Sequence, residues 1–153
     1  MQIVYYSLSG STEKIAQTMS TQLGLPLCRI EDVSSRKGLF HFIRSGFEAT
    51  FKICPRIKTT NSDNLDPEHV VLLAPIWASR ICSPLRTFCK QNAGRFRTFS
   101  LVLTHLDPQN KYEGMKSEVA ALTGARCQVF ESFCSKTVRP ADIQALCKRL
   151  TEL

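Results

Sequence analysis

The chain has 153 residues, 43% of them hydrophobic, and its 20 Lys and Arg outnumber its 13 Asp and Glu to give a net charge of +7. That length and apolar content fit one domain over 1–153 with a core of ordinary size. No apolar run approaches the ~20 residues that a membrane span needs, and the N-terminus lacks the basic-then-apolar pattern of a secretory leader, so a cytoplasmic location is expected.

Ile3 to Tyr6 reads as a first strand, and the periodic segment from about 11 to 22 as a helix that stops at Gly24. Between them lies Ser7-Leu8-Ser9-Gly10-Ser11-Thr12, which carries four hydroxyls and one glycine but no charge. A strand, a glycine turn and a helix N-terminus together suit an anion, because free amides at the helix start already face it. The same residues also read as an ordinary polar loop in which Ser or Thr caps the helix. There is no Gly-x-x-x-x-Gly-Lys for a nucleoside triphosphate and no Gly-x-Gly-x-x-Gly for a dinucleotide. The loop also holds no cysteine nucleophile.

Leu25 to Ile30 makes a second strand, and 36 to 53 a helix whose stripe of Leu39, Ile43, Phe47 and Phe51 faces the core. Arg36, Lys37, Arg44, Lys52, Arg56 and Lys58 crowd this region, and they read as a solvated face or as a surface for an anionic partner. The polar stretch from 59 to 68 returns the chain. Val70 to Ala74 is a continuous apolar run, as in a central parallel strand, and is expected to break at Pro75. Ser83-Pro84 and Asp107-Pro108 both read as helix starts, with a capping side chain and Pro at the first helical position. Thr98 to Leu103 is a fourth strand, Cys127 to Phe133 a fifth, and Pro140 to Leu150 a closing amphipathic helix.

Five strands alternating with five helices predict an α/β, three-layer doubly wound parallel sheet. Ligands of such sheets bind beyond the carboxyl ends of the strands, where strand order reverses. The loops after strands one, three and four are therefore the candidate site. The third of these strands ends without an aspartate and leads into Pro75, Ile76, Trp77, Ala78, Ser79 and Arg80, which include the single tryptophan. A planar aromatic beside an anion loop suits a planar ligand with a phosphate tail. Seven scattered cysteines without a Cys-x-x-Cys pair argue for a reducing compartment and against zinc or a disulfide framework.

These motifs resemble those of the flavodoxin-like FMN-binding proteins. SLSGST is similar to the phosphate loop of that family, APIWASRICSPLRTF to the segment that flanks the isoalloxazine, and RKGLFHFIRSGFEATFK to the second helix of its short single-domain branch. The resemblance implies strand order 2-1-3-4-5 and non-covalent FMN. By that resemblance Ser7, Ser9, Gly10, Ser11 and Thr12 hold the phosphate. Pro75, Ile76, Trp77, Ala78, Ser79 and Arg80 meet the ring and ribityl chain, and Thr104, His105 and Leu106 line the other side.

Three features depart from the family pattern. Ser79 stands where this branch usually has glycine, THLDPQN lacks the usual glycine or aromatic residues, and the chain is basic where electron-carrying flavodoxins are acidic. The expected function is electron transfer through FMN, with two alternatives. One is an NAD(P)H-dependent oxidoreductase of quinones, and the other is a binding module of the same fold that has lost FMN. Expected partners are a redox protein or NAD(P)H rather than nucleic acid, and a homodimer is compatible with this reading.

Overall fold

The computed structural model describes residues 1–33, 53–60 and 65–153. The expected aromatic helix at 36–53 lies outside the described residues except for its last position. The first strand, β1, is Gln2–Tyr5, and helix α1 follows at Ser11–Leu23. Gly24 ends α1 in the left-handed region at φ 65°, and its amide donates to the Ser20 carbonyl. A glycine meets this need at little cost, because a Cβ would be strained there.

Next come β2 (Leu27–Asp32), β3 (Ile57–Thr59), β4 (His69–Trp77) and β5 (Arg80–Ile81). Helix α2 (Ser83–Gln91), β6 (Thr98–His105), α3 (Met115–Thr123), β7 (Arg126–Cys134) and α4 (Pro140–Thr151) complete the described chain. Among the described residues the sheet runs β3-β2-β1-β4-β6-β7, with β5 paired to β4. Its parallel part, β2-β1-β4-β6-β7, is the expected five-strand order. Two antiparallel additions were not anticipated: β3 along the outer edge of β2, and β5 folded back on β4.

The alternation of side chains along each strand divides the core in two. Val4, Leu72, Leu101 and Leu103 face α2 and α3, where they meet Leu85, Phe88 and Val119. Ile3, Val71, Leu73 and Val102 face α1 and α4, where they meet Met19 and Leu146. Val70 to Ala74 are fully buried, which explains a strand apolar on both faces. Arg86 of α2 is 2% exposed and donates from Nη1 to Glu118 of α3, so an ion pair joins the two helices beside this core. Burial pushes the Cys28 thiol up to about 11 and raises Cys89, Cys127 and Cys147 as well, in keeping with packing rather than reactive cysteines.

Three expected boundaries are corrected. The strand does not break at Pro75 but continues to Trp77. Tyr6 donates its amide to the Leu73 carbonyl, so Pro75, two residues on, turns the same edge toward β1 at a point where β1 has already ended. No ladder bond is lost there, and proline is tolerated. Ser83 does not cap α2. The capping position is Cys82, and the Ser83 hydroxyl is buried without a partner. Asp107-Pro108 starts no helix, because Asp107 Oδ1 accepts the Gln109 amide in a local turn and α3 begins only at Met115.

Candidate functional site

Strand order reverses between β1 and β4, since the chain passes from β1 outward to β2 and returns on the other side of β1. The loops beyond the carboxyl ends of β1, β4 and β6 meet at this point. Tyr6, just after β1, packs edge-on against Trp77 at the end of β4, with ring centroids 5.5 Å apart and planes at 85°. Thr12 at the start of α1 reaches the end of β6, where its hydroxyl lies 2.7 Å from that of Thr104. The structure thus joins the first loop to each of the other two.

Within the first loop, Gly10 holds the N-cap position of α1 at φ 89° and ψ −12°. Its carbonyl accepts the Lys14 amide and so opens the helix, while its own amide donates to Ser7 Oγ at 3.1 Å. A glycine has no side chain with which to cap, and no side-chain cap bond is made to α1. The first-turn amides, which have no partner inside a helix, are thereby left to an external acceptor. Ser9 and Ser11 are exposed, with their hydroxyls 3.5 Å apart at the mouth of the loop. Thr12 is 2% exposed and turned inward to Thr104. None of the four hydroxyls caps α1, although Ser or Thr would do so in an ordinary capping loop.

Glu13 places a negative charge in the first turn of α1, where it would oppose a bound anion. Tyr5 donates its hydroxyl to Glu13 Oε1 at 3.0 Å, and Arg29 donates to the same oxygen at 2.9 Å. The carboxylate is thus held and balanced away from the loop. Burial, then the bond to Glu13, raises the Tyr5 phenol above its ordinary value.

The β4 loop is a tight hairpin in which Ile76 pairs with Ile81 and Trp77 with Arg80. Its two turn residues, Ala78 at φ 46° and Ser79 at φ 58°, both lie in the left-handed region, as a two-residue hairpin of this twist requires. A Cβ makes positive φ less accessible than it is to glycine. Pairing on both sides of the turn over-determines the backbone, and Ser79 adopts the conformation nonetheless. Pro75, Ile76, Trp77 and Arg80 are half-buried, whereas Ala78 and Ser79 are exposed at the tip. Trp77 packs on the core margin, its ring nearly perpendicular to that of Tyr6.

His105 ends β6, 7% exposed, with neither ring nitrogen hydrogen-bonded. Its ring lies 5.1 Å from that of Tyr112 at a tilt of 59°. Leu106, the next residue, is 66% exposed at the rim. Sequence reasoning missed Tyr6 and Tyr112. The second lies two residues beyond THLDPQN and is held at φ 54°. Its signal was Asn110, whose side chain accepts the Tyr112 amide in a turn. Among the described residues no cluster of three His, Cys, Asp or Glu suits a metal ion, and no helix is long and apolar enough to cross a membrane.

A flavoprotein in complex with FMN from Lactobacillus acidophilus NCFM superposes with a TM-score of 0.71 at 18% identity, covering 86% of this chain and 91% of that one. A protein from Bacteroides eggerthii DSM 20697, provisionally classed as a flavoprotein, superposes with a TM-score of 0.78 at 16% identity over 98% and 96%. The chain has the flavodoxin-like fold. A short-chain flavodoxin associated with a bacterial microcompartment shares this flavodoxin-like fold at a TM-score of 0.54 and 9% identity, over 99% and 96%. No family model and no curated protein matches the chain. The flavodoxin-like fold is therefore carried by core pattern and topology rather than by close sequence kinship.

Proposed function

We propose that the protein binds FMN non-covalently at the carboxyl end of β1, β4 and β6 and transfers electrons through it. The observation that carries this reading is the first loop. A glycine opens the start of α1 without capping it, two exposed hydroxyls stand 3.5 Å apart at its mouth, and Trp77 is tied to the same loop through Tyr6. Each hydrogen bond to a charged group is worth roughly 1.5 to 3 kcal/mol, so a few amides and the Ser9 and Ser11 hydroxyls suffice for a phosphate dianion without a lysine. The flavoprotein from Lactobacillus acidophilus, of like fold, is described in complex with FMN.

The flavin, when bound, supplies reversible electron chemistry. The chain's own residues bind, orient and shield it. Gly10 and the first turn of α1 take the phosphate, and Pro75 to Arg80 flank the ribityl chain and ring. Trp77 offers an aromatic face on one side, while His105 and Leu106, with Tyr112 behind them, form the other; Thr104 is turned inward to Thr12, behind the phosphate loop. Arg80 brings the hairpin's positive charge toward an anionic ligand.

The absorbance spectrum of the purified protein, taken before and after reconstitution with FMN and gel filtration, tests the reading. Co-elution of flavin absorbance with the chain is expected. A colourless protein that retains no FMN after reconstitution would exclude it. Anaerobic mixing of the loaded protein with NADPH then separates a carrier from a pyridine-nucleotide oxidoreductase, with rapid bleaching expected only of the latter.

A further inference from the structure

Thr12 and Thr104 are each 2% exposed, and their hydroxyls form a buried hydrogen bond of 2.7 Å between residues 92 positions apart. The bond passes over the carboxyl end of β4, which lies between β1 and β6 in the sheet. Each hydroxyl has one proton and two lone pairs, so either can donate. Removing one of them strands the other in the interior, at a cost of about 1 to 3 kcal/mol.

We infer that Thr104 is a positioning residue for phosphate recognition, whose hydroxyl pins Thr12 and with it the first turn of α1 in the orientation that the anion needs. This rests on the reading of the first loop as a phosphate cradle. Thr12 is the second residue of α1, and its amide is one of the donors that the helix itself cannot satisfy. A loop of serines around a glycine has wide conformational freedom, and ordering it at the moment of binding costs affinity. The bond to Thr104 orders it in advance. Ser9 and Ser11 are exposed and free to meet the anion, whereas Thr12 and Thr104 are buried and turned to each other. Thr104 therefore acts on the phosphate and leaves ring binding alone.

Riboflavin carries the ring and ribityl chain of FMN without its phosphate, and the pair of ligands isolates the effect. Both are titrated into the full chain at one ionic strength, with Trp77 fluorescence as the signal, for the wild type, Thr104→Val and Thr104→Ser. The valine variant is expected to lose about tenfold in FMN affinity, as the loss of one oriented hydrogen bond gives, with riboflavin affinity unchanged. The serine variant, which keeps the hydroxyl, is expected to retain the wild-type preference for FMN.

A Thr104→Val protein that keeps the wild-type ratio of the two affinities, or that loses both ligands equally, overturns the inference. Should that variant fail to fold, the double variant Thr12→Val, Thr104→Val removes both hydroxyls and leaves no buried orphan. It is expected to fold and to have lost the preference for FMN, and its keeping that preference overturns the inference in turn. A wild type that binds riboflavin as tightly as FMN overturns the cradle itself, a different result from any that condemns Thr104 alone.

Discussion

Gly10 has open space where a Cβ would stand, with no heavy atom within 4 Å, yet its φ of 89° suits no L side chain. The Gly10→Ala protein should therefore lose about 1 to 2 kcal/mol from backbone strain alone, without any clash. Urea denaturation measures this, and a variant as stable as the wild type would show that the loop relaxes into another conformation. His105 poses the opposite case, a polar ring 7% exposed with both nitrogens unpartnered. Replacing it by leucine should stabilise the ligand-free protein by about 1 kcal/mol, since a buried orphan is removed and no bond is lost. Destabilisation of that variant would mean that the imidazole has a partner in solution. The turn at Gly10 into the start of α1, ringed by the hydroxyls of Ser7, Ser9, Ser11 and Thr12, was legible from the sequence. The division of labour among their hydroxyls was not, because Thr12 is claimed by a partner 92 residues away that no local pattern announces.

Among the elements, the β4–β5 hairpin departs most from its sequence signal. Its turn, Ala78-Ser79, has two positive φ values and none of the Asn-Gly chemistry that usually supplies them. Ser79→Gly should relieve about 1 kcal/mol of that strain, equivalent to roughly 2 to 4 °C in Tm for a chain of this size. Thermal unfolding followed by circular dichroism reads the shift, and an unchanged or lower Tm would mean that the turn is not strained at Ser79. Proline misled the boundary at β4, since Pro75 was expected to end a strand that continues past it. The reason is topological: its missing amide faces the side where β1 has run out. The helices at 11–23 and 140–151, by contrast, follow from apolar periodicity with little correction, as each buries one stripe on the same side of the sheet. The short β3 has no such signal, because two half-buried residues and an exposed lysine form it only by pairing with β2.

At the scale of the whole molecule, continuous apolar strands and amphipathic helices in alternation led to the doubly wound sheet, while the order of its parallel strands followed from the family resemblance. Burial on both faces is the physical demand that wrote that pattern. Stability of the whole should also sense pH through His69 at the start of β4. The ring is held between the hydroxyls of Thr98 and Ser100, at 2.8 and 2.9 Å, and burial lowers its pKa below 6.5. The unfolded chain therefore binds a proton more readily than the fold does. The stabilisation from neutral His69 is complete above pH 6.5 and is lost as pH falls from there toward the lower folded value. Urea denaturation at pH 7.5 and pH 5 should show a fall that is smaller in His69→Gln, and an equal fall in both proteins would place the sensitivity elsewhere.

The central claim is that the loop at Gly10 and the tryptophan at the end of β4 form one FMN site. Trp77 is the only tryptophan in the chain, so its emission reports on that site alone. Titration of the flavin-free protein with FMN should quench this emission along a saturable curve, with FMN bound more tightly than riboflavin. Emission that falls only in proportion to added flavin, with no saturation, would contradict the account.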